Sequence, residues 1–367
     1  MKITFILPSV KNISGGLRST FELANRLYAR GHRVTVIYPL IPTYINNGDI
    51  RFKELAKWIR LFMKNFKFRN EVNWFDLKAE IKRVPFLKNR WIPESDIIVA
   101  TWWETAYAVD SFQENRGKKF YFIRHYEIWG GPTNLVEKTY SLSLNKIVTS
   151  LWLKKIIEER FNFQVVGLIP NGVNFKLFYK EKDTLGNHSP KRVGLLYRQM
   201  DWKGLKDGFY AFLKAKEQFS DVELVLFGEK PLQKDKAAIK KMCHVEFHLM
   251  PYKEELRRIY NSLDIFVFPS HQEGFGNPPM EAMACGVACV TTNAGAIPDF
   301  TIPDKTALCV PPKQPDLLAN AIVSLLKDNK RRKQIAQSGW KHIRQFDWEN
   351  STDKLETVFK EALKNNI

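Results

Sequence analysis

Two glutamates eight residues apart, Glu273 and Glu281, bracket a glycine-bearing stretch with a double proline, within PSHQEGFGNPPMEAMACG from Pro269 to Gly286. On one continuous helix that spacing would set them about 80° apart, but the glycines and Pro278-Pro279 divide the stretch into a loop and then a helix. Proline fits a first helical turn, where a missing N–H costs little. The reading is a loop over 270–277 that carries Glu273, then a helix through Met280 to Cys285 that carries Glu281 in its first turn and stops at Gly286. Backbone N–H groups of Phe275, Gly276 and Asn277 can meet an anion there, helped by the helix dipole. The chemistry implied is a phosphate seat flanked by two carboxylates. Paired carboxylates also serve glycosidases as acid and nucleophile or base, so the pair alone leaves a hydrolase open.

The elements that must position this seat begin with Ile265 to Phe268, a short apolar run that suits a strand buried on both faces of a parallel sheet. At the start of the chain, Ile3 to Leu7 reads as a strand. A polar loop follows, Gly15-Gly16 opens a helix with Leu17, Phe21, Ala24, Leu27 and Tyr28 at helical spacing, Gly31 ends it, and Val34 to Tyr38 is the next strand. That βαβ unit begins a doubly wound sheet. Its loop lacks the G-x-G-x-x-G spacing, so NAD is not expected; the glycine pair either lets backbone approach a ligand at a helix N-terminus or marks a tight turn. Strands over 96–101, 118–124, 146–149 and 165–169 continue the first sheet, and strands over 192–197, 222–227, 245–249, 265–268 and 288–291 build a second. Ligands of open sheets bind at the carboxyl ends of strands. Those ends deliver Trp102 and Trp103, whose rings can stack on a sugar or simply pack, and Arg124, His125, Tyr126 and Glu127.

The motif around Glu273 and Glu281 resembles the E-x7-E signature of retaining family-four glycosyltransferases, with PS before it, GFG inside it and EAMACG after it. The resemblance implies an α/β GT-B fold: two doubly wound Rossmann-like domains facing each other across a cleft. It places an acceptor-side domain at 1–170, a nucleotide-sugar-binding domain at 171–347 and a terminal helix, 348–367, packed back on the first. Pro170-Asn171-Gly172-Val173 is similar to the family's crossing motif, with Asn174 in place of the usual Asp. By the same resemblance Gly15, Gly16, Gly274, Phe275, Gly276 and Asn277 lie against the donor diphosphate, and Arg198 with Lys203 matches an R-x4-K pair that grips its phosphates. Glu281 is implied at the ribose hydroxyls, Glu273 at the sugar and anomeric carbon, and His125 near sugar and phosphate. The implied reaction moves a sugar, with retention and without a metal, from a nucleotide diphosphate sugar such as a UDP- or GDP-sugar to a glycan or lipid-linked acceptor, in polysaccharide or glycolipid assembly. An epimerase or hydrolase on the same fold, and a protein that binds nucleotide sugars without chemistry, are the other readings.

Composition narrows the partners. The 367 residues, 44% hydrophobic and 26% charged, are enough for two domains with separate cores. A net charge of +18 favours anionic partners, yet no zinc-finger, RRM or helix-turn-helix signature points to specific nucleic-acid recognition. The four cysteines, Cys243, Cys285, Cys289 and Cys309, form no C-x-x-C pair and read as core thiols of a reducing cytoplasm. No metal or other cofactor is expected, and no apolar run is long enough to span a membrane. Residues 51–90 hold twelve Lys or Arg against four acids, interleaved with Trp58, Phe62, Phe66, Trp74 and Phe75. That mixture fits either a helical insertion packed on the domain or an anionic membrane surface. The expected location is cytoplasmic, with peripheral attachment to the inner face of the membrane if the second holds.

Overall fold

The computed structural model describes residues 1–10, 14–40, 72, 74–181, 190–231 and 245–364. The chain divides into two units, Met1–Asn171 with Trp348–Ile367, and Gly172–Asp347. In the first, β1 (Lys2–Ile6) leads to α1 (Gly15–Ala29) and β2 (Arg33–Pro39), followed by β3 (Glu80–Val84) and β4 (Ile97–Ala100). Then come α2 (Trp103–Asp110), β5 (Lys118–Ile123), α3 (Thr133–Tyr140), β6 (Asn145–Val148), α4 (Leu151–Phe161) and β7 (Val165–Leu168). The sheet order is β3-β2-β1-β4-β5-β6-β7, and its pairings are parallel. The chain runs outward from β1 to β2 and β3, then returns to β4 on the other side. The sheet's order therefore reverses between β1 and β4, where crevices form at strand ends.

The second unit repeats the plan. Its elements are β8 (Lys191–Leu196), α5 (Leu205–Gln218), β9 (Val222–Gly228), β10 (Val245–Leu249), α6 (Glu254–Asn261) and β11 (Ile265–Phe268). They continue as α7 (Asn277–Ala284), β12 (Ala288–Thr292), β13 (Leu308–Val310), α8 (Pro315–Lys327) and α9 (Asn329–Ile343). The order β10-β9-β8-β11-β12-β13, again parallel, reverses between β8 and β11. Both sheets are covered on two faces, which is why central strands such as Ile97–Ala100 and Ile265–Phe268 are buried along their whole length.

The last helix, α10 (Trp348–Lys364), belongs to the first unit. Its Trp348, Leu355 and Phe359 enter the core beside Phe5, Phe21 and Phe120, with the Phe120 and Phe359 rings 5.0 Å apart. Along its edge Arg30 pairs with Glu349 at 2.9 Å, Asp353 at 2.6 Å and Glu356 at 3.0 Å.

Three features depart from the reading of the sequence. The described part of the stretch read as a helical insertion contains a strand instead: β3 pairs with β2 from Thr35↔Glu80 to Pro39↔Val84. Trp74 and Phe75 meet Phe21 with tilted rings, at 5.4 and 5.3 Å, and pack against the core. The more densely basic part, 51–71, lies outside the described residues, as does Cys243. Helices α2, α3 and α4 were also unforeseen, because α2 mixes short and bulky residues and its apolar face is weakly separated from its polar one. Finally, α7 begins at Asn277, so Glu281 sits in its second turn and not its first. No described helix is long and apolar enough to cross a membrane.

Candidate active site

In the second unit the loops after β8 and β11 meet at the point of reversal. Lys203 and Glu273 are brought together there: Nζ lies 2.6 Å from Oε1, and Ser270 Oγ donates to the same oxygen at 2.6 Å. Glu273 is only 6% exposed, so this ammonium and hydroxyl replace the water a buried carboxylate would otherwise lose.

Backbone contacts lock the two loops in register. His271 N–H donates to the Trp202 carbonyl at 2.7 Å, and Ser270 Oγ, whose proton is directed at Glu273, lies 3.1 Å from the same oxygen. Gly204 makes this approach possible: its φ is +62°, and a Cβ there would lie 1.9 Å from the Pro269 carbonyl oxygen. Beneath it, His271 Nε2 is 2.7 Å from Asp207 Oδ2 at the start of α5. A third loop, after β12, holds Glu273 from the other side. Ala296 N–H donates to the Glu273 carbonyl at 3.2 Å, and a Cβ on Gly295 would come within 2.1 Å of that oxygen. Ser270, Thr292, which bonds the Ser270 carbonyl, and Gly295 were not singled out from sequence. Their signals were the PS that precedes the glutamate motif, for Ser270, and the glycine of NAGAIPD over Asn293 to Asp299, for Gly295.

Arg198 leaves β8 and pairs with Glu229, which turns out of the neighbouring β9. Glu281 is 5% exposed and accepts a hydrogen bond from Tyr260 Oη at 3.2 Å. Gly276, φ +110°, caps α7 in a left-handed conformation, where a Cβ would meet Ile297 at 2.6 Å. Phe275 turns its ring inward against Phe300 at 5.7 Å, so the loop contributes backbone here, not an aromatic face.

The first unit's strand ends have a different chemistry. Ser14 caps α1 by accepting from Leu17 N–H at 3.2 Å, which opens the helix at Gly15 and Gly16. Arg124 Nη1 donates to the Gly16 carbonyl at 2.5 Å. His125 Nδ1 lies 3.0 Å from the Tyr126 carbonyl and 3.2 Å from Trp129 Nε1. These two contacts require opposite tautomers, since a protonated Nδ1 bonds the carbonyl and a bare one accepts from the indole.

Of the two readings of Trp103, stacking or packing, its burial fits packing: it is 3% exposed in the core, with Glu127 Oε2 accepting from its backbone N–H at 2.7 Å. Trp102 is half-buried and meets Trp129 at 5.3 Å. Trp129 is 48% exposed and also packs edge-on to His125, at 5.7 Å. Trp129, not Trp103, is therefore the second indole of this face; a tryptophan just before Gly130-Gly131 was the available signal. Below them Glu127 is buried, accepting from Tyr121 Oη at 2.9 Å, and burial pushes its carboxyl up to about 8. Burial likewise raises Glu104 to about 7, against a hydrogen bond from the Trp102 side chain.

Comparison with known proteins places this geometry in a family. Residues 13–177 match the model of "Glycosyltransferase Family 4", and residues 180–342 that of "Glycosyl transferases group 1". The chain belongs to the family-four, group 1 glycosyltransferases. Among curated relatives, a D-inositol 3-phosphate glycosyltransferase of Corynebacterium efficiens is 34% identical over 109 residues, 30% of this chain and 26% of that protein. An O-antigen chain mannosyltransferase B of Escherichia coli is 34% identical over 107 residues, 29% of this chain and 28% of the other. The chain thus spans about a quarter of the length of the curated relatives it matches. The crystal structure of the Anabaena protein HepE in complex with UDP and glucose aligns over 98% of this chain and all of that one, with a TM-score of 0.73 at 17% identity. The fold is the GT-B type, with two parallel sheets of 7 and 6 strands.

Proposed function

We propose that this glycosyltransferase moves a hexosyl group from a nucleotide diphosphate sugar to a glycan or lipid-linked acceptor in cell-surface polysaccharide or glycolipid assembly. The observation that carries the reading is the buried Lys203–Glu273–Ser270 contact at the strand-order reversal of the second unit, with Arg198 on the same loop as Lys203.

The difficulty of the reaction is charge. The bond from the anomeric carbon to the phosphate oxygen breaks, the acceptor oxygen bonds that carbon, and the departing diphosphate gains negative charge while the sugar becomes electron-poor. Lys203 and Arg198 are suited to the first change and the Glu273 carboxylate to the second. Preorganised charges of this kind act mainly on the transition state. Glu281, steadied by Tyr260, is assigned to the ribose hydroxyls, and the N–H groups of 274–277 with Gly15 and Gly16 to the diphosphate. The acceptor attacks from the face that the phosphate leaves, which retains the anomeric configuration, and its proton passes to the departing phosphate; Lys203, Arg198 and the helix N-termini take the part a divalent metal would otherwise play. The UDP of HepE and the mannosyl and inositol phosphate names of the relatives support a nucleotide-sugar donor and a polar acceptor.

The test is nucleotide release from UDP-, GDP- and dTDP-sugars in chelator, wild type beside Glu281→Ala and Arg198→Ala. The reading expects one donor to bind and turn over slowly, with both variants impaired. Binding of no nucleotide sugar by the wild type would overturn it.

A further inference from the structure

Arg198 and Glu229 face each other across the carboxyl ends of two neighbouring strands. In the parallel pairing of β8 with β9, Leu196 lies opposite Phe227, and the same register carried two residues further sets Arg198 beside Glu229. The approach is fixed from both sides. Tyr197 N–H donates to the Phe227 carbonyl at 2.8 Å, and Met250 N–H to the Gly228 carbonyl at 2.7 Å. A Cβ on Gly228 would lie 2.3 Å from the Tyr197 carbonyl oxygen, so glycine lets the two strand ends come this close. Glu229 Oε1 accepts from Arg198 Nη2. Nε of the same guanidinium is shut off from solvent. The Nη groups are therefore the part of Arg198 that a diphosphate can reach, and Glu229 occupies one of them.

At the amino end of the same strands a structural arginine looks different. Arg192 pairs with Glu223 at 3.3 Å and with Glu246 at 2.6 Å, tying β8 to β9 and β10. Arg198, at the crevice end, has one acid. The two carboxylates that meet the site's cations also differ from each other. Glu273, on Lys203, is 6% exposed and is held by Ser270 Oγ and by the loop after β12. It cannot leave its cation without stranding a buried charge. The Glu229 side chain is 42% exposed just past the end of β9, and Arg198 is its one polar partner among the described residues. A carboxylate so placed exchanges its cation for water at little cost. One of the two is fixed, and the other can be displaced.

We propose that Glu229 is a displaceable counter-ion of Arg198: it holds the guanidinium until the donor's diphosphate arrives, yields it, and takes it back as the nucleoside diphosphate leaves. Its charge stays beside the bound diphosphate and repels it, so Glu229 sets how tightly the product is held and how fast the site empties. The chemistry calls for such a group. The leaving group is more negative after transfer than before it, and cations placed to favour its formation also retain it. The proposal rests on the reading of Arg198 as a diphosphate ligand.

The test measures binding of UDP, GDP, dTDP and inorganic pyrophosphate by calorimetry, with inhibition of donor turnover by the same nucleotides and melting curves alongside. Wild type and Glu229→Gln are compared with Glu223→Gln, which removes the same charge roughly 20 Å away along β9. Glu229→Gln should bind the diphosphate about two- to fivefold tighter, the range of an exposed ion pair. It should be inhibited at correspondingly lower nucleotide, at an unchanged melting temperature, while Glu223→Gln binds as wild type does. A folded Glu229→Gln with equal or weaker affinity overturns the proposal, because a residue that merely aims Arg198 would lose affinity when removed. An equal gain in Glu223→Gln overturns it too, as an effect of net charge alone. If Glu229→Gln tightens pyrophosphate while no nucleotide binds wild type, the counter-ion stands and the nucleotide-sugar reading falls. Nucleotide binding indifferent to Glu229 has the opposite meaning, and a wild type that binds no probe removes both.

Discussion

The strand ends of the two units are built on the same topology with opposite chemistry. At the reversal between β8 and β11, polar groups are matched at short range: Lys203 with Glu273 and Arg198 with Glu229 as ion pairs, and the His271 ring with Asp207. Three loops hold that set through backbone bonds and glycines that admit no side chain. At the ends of β4 and β5 the groups are indoles, a histidine open to either tautomer, two carboxyls raised by burial and an arginine that forms no ion pair among the described residues. The first pattern suits an invariant task, holding a charged leaving group in one geometry. The second offers apolar faces and adjustable protons, which suit a partner recognised by shape and stacking.

The sharpest way to break this contrast is Lys203→Ala. It strips the buried Glu273 of its cation and removes a group aimed at developing charge. Turnover should fall about 10²- to 10³-fold, the range for loss of one preorganised stabilising donor, as measured by nucleotide release under saturating donor. A fall of less than about fivefold would move the chemistry away from this pair. Next comes Gly204→Ala, which places a methyl 1.9 Å from the Pro269 carbonyl at a φ of +62°. Overpacking and strain of this kind cost about 1–3 kcal/mol, visible as a lower melting temperature together with weaker donor binding, because the Lys203 and Glu273 loops separate.

Glu127→Gln tests the other side. A carboxyl raised from 4.5 to about 8 holds its proton more tightly when folded. Its contribution to stability is therefore fully present below about 4.5 and is lost as pH rises through about 8. The glutamine still accepts from Trp103 N–H and Tyr121 Oη, so the variant should lose that slope and be the more stable protein above pH 8 in urea titrations. An unchanged slope would mean the carboxyl is ionised throughout. The smallest effect belongs to Trp129→Ala. Aromatic contacts contribute about 0.5–1.5 kcal/mol, so the acceptor KM should rise several-fold while donor affinity and nucleotide release stay as in wild type. Equal damage to donor affinity would erase the distinction between the two regions.

How much of this was legible in sequence follows from the range of the interactions. The parallel strands announced themselves as short apolar runs, and the GT-B architecture followed from motifs confined to single loops. PSHQEGFGNPPMEAMACG carries its own loop, cap and helix start, so its local form could be read residue by residue. Which groups Glu273 and Arg198 meet could not, because Ser270, Gly295 and Glu229 come from loops whose contact depends on the pairing of β8, β9, β11 and β12. The choice between Trp103 and Trp129 was hidden for a related reason. Burial of adjacent indoles depends on the start of α2, and its opening residues, Trp103-Glu104-Thr105, offer little helical periodicity. β3 was masked by charge, since EIKRV reads as a solvated basic segment until an edge position beside β2 is known.

The last helix has a consequence for how the chain is made. Its Trp348, Leu355, Phe359 and Ala362 complete a core whose other members, from Ile3 to Ile169, are synthesised more than 170 residues earlier. On a ribosome, the unit begun first is thus the one finished last: the segment from Gly172 to Asp347 has all of its own core in hand while the N-terminal sheet still lacks the wall that covers Phe120. For that interval the earlier half carries an uncovered apolar face, the kind of surface that chaperones bind and that aggregates.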